Sequence, residues 1–326
     1  MTRLLTLGLT WIFSFFALTT QAQTISDWPR REVRIIIGFS AGGTTDIITR
    51  TLATELTKLW GQAIVIENRS GAGGNIGAEL VAKAKPDGYT LLMGSVGPLA
   101  VNASLYAAMP FDNLKDLTPI SLVADVPNML VFAPKAMPVN DLGEFVALLK
   151  RAPGKYFYAS TGSGTTSHLS GELLKMQAGV AITHVPYKGA VALNDVLAGD
   201  TVHFMFATIP SAIQFVRAGK LKAIAVTSLK RSAGVPELPT LAESGYPSFD
   251  ASSWFGLVGP VNLPPELAQK ISADIAKVLK MPAMRDKFIA QGADPVGSSP
   301  AEFAAHMRAE TTKWAKVVKQ SGAKAD

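Results

Sequence analysis

The chain is predicted to be an α/β protein of two lobes, each built on a doubly wound sheet flanked by helices. Two observations carry this prediction. Apolar strand-sized runs alternate with helix-spaced segments from Val33 to Met93, and the pattern starts again at Met129 and runs to Thr227. The span from residue 23 to residue 326 is also long enough for two domains of ordinary size.

The elements follow in order. Val33–Phe39 (VRIIIGF) is β-branched and apolar throughout, as in a strand buried on both faces. Ile48, Leu52, Leu56 and Leu59 then recur at helical spacing, and Gly61 stops that helix. Strand Ala63–Glu67, a short helix over Ala78–Ala84, the turn Pro86-Asp87-Gly88 and strand Thr90–Met93 complete a βαβαβ unit. In the second unit the strands are Met129–Phe132, Tyr156–Ala159, Thr183–Val185, His203–Phe206 and Leu221–Thr227. Its helices are Leu142–Lys150, Ser167–Met176, Ala190–Leu197 and Ile209–Ala218. The last third reads as mainly helical, with Pro265–Leu279 opening on proline and a further helix at Pro300–Lys319. These units divide the chain into one lobe of residues 23–125 plus 229–326 and a second of 126–228.

Residues 1–22 read as an export signal. Arg3 precedes the uncharged run Leu4–Leu18, and Thr20-Gln21-Ala22 puts small residues where cleavage after Ala22 requires them. The apolar run is short against the roughly 20 residues of a membrane span. The chain has no cysteine, so neither a lipid anchor at that site nor disulfides are expected, and the cores alone must stabilise the fold. The net charge of +6 falls by one once Arg3 is removed. It suits solubility and a mild attraction for anions. Lys and Arg are scattered without interleaved aromatics, which argues against nucleic acid as a partner.

Two loops draw the functional reading. After VRIIIGF comes Ser40-Ala41-Gly42-Gly43-Thr44-Thr45-Asp46; after KYFYAS comes Thr161-Gly162-Ser163-Gly164-Thr165-Thr166-Ser167-His168. Both carry Gly-Thr-Thr where a helix should begin, one in each lobe. A first helical turn leaves N–H groups without partners and carries the positive end of the helix dipole. Glycine admits close approach, and Ser/Thr hydroxyls add donors, so an anion such as a carboxylate suits the pair. The same residues also serve as ordinary N-caps. Asp46 either caps its own backbone or meets a ligand hydroxyl, amine or water.

Enzyme signals are missing. Ser70–Gly77 spaces its glycines as GxGxxxG rather than GxGxxG and reads as a turn, and no P-loop is present. His168, His184, His203 and His306 have no metal-ligand spacing, and His168 reads as a residue that supports its loop. No GxSxG elbow occurs. No catalytic residue, metal or cofactor is therefore expected.

With these loops in view, the chain resembles the tripartite tricarboxylate transporter substrate-binding family, the Bordetella uptake gene receptors. The resemblance spans about Trp28 to Gly322. Its motifs are Phe39–Asp46, Glu67–Gly77, Pro86–Leu92, Ser167-His168-Leu169, His184–Gly189, Ala218–Leu221 and Ser253–Gly256. It implies a periplasmic two-lobed receptor of the flytrap type, type II-like, with two crossings between lobes. It further implies that a ligand carboxylate is held by Phe39–Asp46 and Ser160–His168, partly through water, with Ser95 lining the cleft. Tyr187 and Lys188 sit either in a packing turn or at the cleft rim. One departure concerns the end of strand His203–Phe206, where the family commonly carries an acidic residue and this chain has Ala207 and then Thr208. That points away from amino-acid ligands and toward a less polar body, aromatic acids included. The expected role is capture of a mono- or dicarboxylate by a monomer and delivery to a large and a small membrane subunit; the alternative is a sensor that feeds a two-component kinase.

Overall fold

The computed structural model describes residues 27–325, so the export-signal reading of residues 1–22 lies outside it. In chain order the first elements are β1 (Val33–Ile37), α1 (Thr44–Trp60), β2 (Ile64–Asn68), α2 (Asn75–Ala82), β3 (Thr90–Ser95) and α3 (Asn102–Leu105). Then come β4 (Leu117–Val126), β5 (Asn128–Phe132), α4 (Leu142–Arg151), β6 (Tyr156–Ser160), α5 (Thr166–Ala178), β7 (Ile182–Pro186) and α6 (Ala192–Ala198). The rest are β8 (Phe204–Thr208), α7 (Ile209–Arg217), β9 (Lys222–Val226), β10 (Ser253–Pro260), α8 (Pro265–Leu279), α9 (Pro282–Ala290), β11 (Asp294–Pro295) and α10 (Pro300–Ser321).

Local chemistry accounts for the ends of several elements. Gly61 adopts a left-handed φ of 64° that ends α1. Asp141 caps α4, and Ser299 with Glu302 forms a capping box on α10. Among the described residues no helix is long and apolar enough to cross a membrane.

Two sheets result, in the orders β11-β4-β10-β3-β1-β2 and β7-β6-β8-β5-β9. Both are mixed. β1 runs parallel to β2 and β3, and β6 parallel to β7 and β8, as the βαβ pattern requires. β10 and β5 are interior strands that run antiparallel to both their neighbours. The reason is the route of the chain. It passes from β4 in the first sheet to β5 in the second, and returns from β9 to β10. A strand that arrives from the other lobe starts at the cleft, where the parallel strands end, and must run the other way. β4 and β10 escaped the sequence reading because Pro119, Ser121, Gly256 and Gly259 interrupt their apolar pattern, although all of β10 is buried.

Side chains pack the crossover strand β10 against α10. Trp254 of β10 meets Phe303 of α10 edge-on at 5.8 Å, and the indole N–H groups of Trp254 and Trp314 both donate to Glu310. Beside it, Asp125 of β4 lies directly opposite Asp294 of β11. Burial, with the charges of Asp294, Glu310 and Asp250, pushes the Asp125 carboxyl up to about 6. Its folded value exceeds its ordinary one of 3.8, so the unfolded chain binds fewer protons between those values and stability falls as pH rises from about 4 to 6. Asp125→Asn should therefore raise the melting temperature at pH 7.5 and leave it little changed at pH 4. Equal shifts at both pH values would remove the electrostatic explanation.

Candidate functional site

The loops after β1 and β6 face one another across the cleft. In the first, Gly43 is the N-cap of α1 in extended conformation, and Gly42 N–H donates to Asp46 Oδ2 at 3.1 Å. Asp46 also takes Arg50 Nε at 2.9 Å and Asn68 Nδ2 at 3.2 Å. Burial alone would raise the Asp46 carboxyl, but these hydrogen bonds and the Arg50 charge hold it below its ordinary value. Asp46 is thus committed to shaping its own loop.

In the second loop, Thr165 is the N-cap of α5 and takes His168 N–H. The repeated Gly-Thr-Thr is therefore offset by one residue: its glycine caps α1, whereas its first threonine caps α5. Gly162 is fixed at both ends of its peptide links, with N–H to Ser160 Oγ at 3.1 Å and its carbonyl accepting from Thr165 Oγ1 at 2.7 Å. Gly164 N–H donates to His168 Nδ1 at 3.2 Å. The first intrahelical donors are Ile47 on α1 and Leu169 on α5. This leaves Thr44 and Thr45 on one side, and Thr166 and Ser167 on the other, with amides of the unpaired first turn.

Those four residues line one cavity of ≈ 540 Å³, its mouth included. Hydroxyls of Ser95, Thr161, Thr208, Ser211 and Ser253 and the Asn128 amide add polar groups, and Phe39, Val96, Met205, Phe206 and Phe255 form an apolar wall. None of its lining residues carries a charge. The lobes are in contact around it: Thr44 bonds Thr208, Thr166 bonds Ser253, and Ala190 N–H donates to Ser40 Oγ at 3.3 Å.

A second, outer cavity of ≈ 630 Å³ shares Phe39, Thr161 and Gly189 with the first. Its wall includes Ser70–Gly74, Gly162, Ser163 and Pro186–Lys188. The Ser70–Gly74 turn, with no local signal of a site, packs across the lobes: a Cβ on Gly73 would lie 2.6 Å from the Ser163 carbonyl oxygen.

The expected site residues separate accordingly. Phe39, Gly43, Thr45, Ser95, Thr161 and Thr165 line the inner cavity, and Gly162, Ser163 and Tyr187 the outer one. Tyr187 donates its hydroxyl to Asp195 at 2.5 Å, and burial together with that carboxylate pushes it up to about 12. Ser40, Ala41, Gly42, Asp46, Ser160, Gly164 and His168 line neither cavity and lie in or behind the loops. Ala207 requires a correction. Its side chain is packed in the core with Met129, Val131 and Ala159, and the next residue, Thr208, lines the cavity. Met205 and Phe206, on opposite faces of β8, both reach the cavity, but the short Ala207 side chain stays within the core. Asn128, Phe206 and Ser211 carried no local signal, and Ser253 and Phe255 only that of the family motif Ser253–Gly256, because the cavity is made by strands of both sheets. Among the described residues no group of three or more His, Cys, Asp or Glu is placed to hold a metal ion.

The family described as "Tripartite tricarboxylate transporter family receptor" matches residues 48–323. The chain belongs to this family. It is a family of periplasmic binding proteins and not of enzymes. Among curated relatives, Protein BugT of Bordetella pertussis is 38% identical over 327 residues, covering 99% of each chain. Among solved structures, Rpa4515 of R. palustris with adipate is 38% identical, with a TM-score of 0.88 over 90% of this chain and 98% of that one. MatC (Rpa3494) from Rhodopseudomonas palustris with bound malate is 32% identical, with a TM-score of 0.82 over 89% and 100%. As a member, this chain is a two-domain solute-binding receptor.

Proposed function

We propose that this receptor captures a small carboxylate in the inner cavity, with the carboxylate at the N-termini of α1 and α5 and the body against the apolar wall. One observation carries the reading: helix N-termini from two lobes line a single cavity whose other walls hold no charge. The first-turn amides and hydroxyls supply the anion's donors, each charge-assisted bond being worth roughly 1.5–3 kcal/mol. Because the donors come from both lobes, binding and closure are one event. The lining offers no carboxylate to an ammonium group, so acids without an amine are preferred. Solved relatives that carry adipate and malate support a carboxylate ligand. The family supports delivery of the ligand to membrane transporter subunits, and the Leu4–Ala22 pattern supports export with a mature chain beginning at Gln23.

A thermal-shift series on the mature chain tests this, with benzoate, adipate, malate and aspartate as probes. A ligand that binds only the folded state must raise the melting temperature, by the equivalent of about 2.7 kcal/mol at a hundred times Kd. At least one acid without an amine should do so, and aspartate should not. No shift from any acid would sink the carboxylate reading; a largest shift from aspartate would sink the ligand preference.

A further inference from the structure

We propose that His184 is a positioning residue for the anion-binding loop of the second lobe: its unprotonated Nε2 accepts a hydrogen bond from the Ser160 hydroxyl, which thereby holds the Gly162 amide in place. The inference rests on the binding reading above, and assigns part of that site's geometry to a residue that lines neither cavity.

Ser160 has one hydroxyl proton to place. This serine is fully buried, and its Oγ already accepts from Gly162 N–H. A hydroxyl has one proton to donate, and His184 Nε2 is 2.7 Å away. If Nε2 carried a proton, two N–H donors would face Oγ and the hydroxyl proton would be left in a buried position. His184 is therefore the neutral Nδ1–H tautomer. Its ring stacks on His168 at 4.0 Å with 12° between planes, and His168 Nδ1 accepts from Gly164 N–H. Two stacked cations would repel, so the pair carries at most one charge, and His184, whose Nε2 faces the Ser160 hydroxyl, is the neutral member.

The consequence reaches the ligand side of the loop. Gly162 and Gly164 have φ of 139° and 84°, and they turn the chain sharply between β6 and α5. With Gly162 N–H tied to Ser160 and its carbonyl to Thr165, Thr165 becomes the cap and α5 begins at Thr166. The imidazole pair thus supports the loop from behind while Thr166 and Ser167 face the cavity. The titratable groups around His184 are His168, Glu172 and Lys175 on α5 and Tyr158 on β6, whose ring stacks on it. Burial first, then His168 and Lys175, lower the His184 imidazole to about 3.

The test combines a spectroscopic signature with rescue. In ligand-free wild type at pH 7, ¹⁵N NMR of the imidazole should show Nε2 unprotonated. His184→Phe, which keeps an aromatic ring but no acceptor, and Ser160→Ala should each speed exchange of the Gly162 amide and weaken binding of benzoate and adipate by about tenfold. His184→Gln presents an oxygen near the Nε2 position and should restore both. The double variant should be no worse than its worse single. A protonated Nε2, or a Gln variant as impaired as the Phe one, overturns the proposal. If the Phe variant does not fold, the tautomer and the Gln and Ala variants decide. If no acid of the thermal-shift series binds wild type, the carboxylate reading falls, while tautomer and exchange still judge the loop.

Discussion

Thr208→Asp is expected to abolish acid binding while the chain still folds. Thr208 lines the inner cavity and bonds Thr44 at the N-terminus of α1 and Ser211 on α7. A carboxylate there keeps an acceptor for both hydroxyls and meets the positive end of the α1 dipole, so the variant satisfies the cradle with its own side chain. A ligand carboxylate would then meet a like charge. At about 4 Å and an effective dielectric of about 20, the repulsion is on the order of 4 kcal/mol, enough for at least a hundredfold loss in affinity. The measurement is titration calorimetry with whichever of benzoate, adipate and malate wild type binds. Unchanged affinity would mean that the anion lies elsewhere.

Gly164→Ala is expected to separate folding from closure. Gly164 has a φ of 84°, and a Cβ there would lie 2.1 Å from Oδ1 of Asn102 on α3, in the other lobe. The backbone conformation costs an alanine about 1–2 kcal/mol in any state. The clash with Asn102 exists only when the lobes meet. Affinity should therefore fall more than tenfold, beyond what the modest drop in melting temperature accounts for, and small-angle scattering should show the variant remaining extended under ligand concentrations that compact wild type. Gly43→Ala serves as the contrast. Its Cβ would meet the Ser40 carbonyl oxygen at 3.4 Å and the Ala190 methyl at 3.9 Å, both tolerable. If the two variants close alike, Gly164 is not a steric requirement of the closed state. The two loop glycines thus differ in kind: Gly43 caps a helix at the cavity wall, and Gly164 makes room for the opposite lobe.

These contrasts show where sequence reasoning succeeds. Val33–Ile37 and Tyr156–Ser160 were legible as strands because their apolar runs are continuous, and α1, α5, α8 and α10 because spacing, caps and proline mark them locally. The two loops were legible for the same reason, since helix-start chemistry depends on only a few consecutive residues. What failed were features set at a distance. The offset of Gly-Thr-Thr between α1 and α5 depends on how Ser160 and His184 anchor the second loop. That Thr208 and not Ala207 lines the cavity depends on what packs around the end of β8. The interior, antiparallel placement of β5 and β10 depends on where the chain crosses the cleft.

By itself the sequence determined an α/β chain with two similar βα loops suited to an anion, no cysteine chemistry, and a family resemblance spanning almost every element. Tertiary structure alone decided that the two helix N-termini share one uncharged cavity, that Asp46 is used within its own loop, and that Phe206, Ser253 and Phe255 complete the wall. The physical reason is range. Helix caps and strand periodicity arise from neighbours along the chain, whereas a cavity is made by side chains that meet only when both sheets have formed and the lobes have closed.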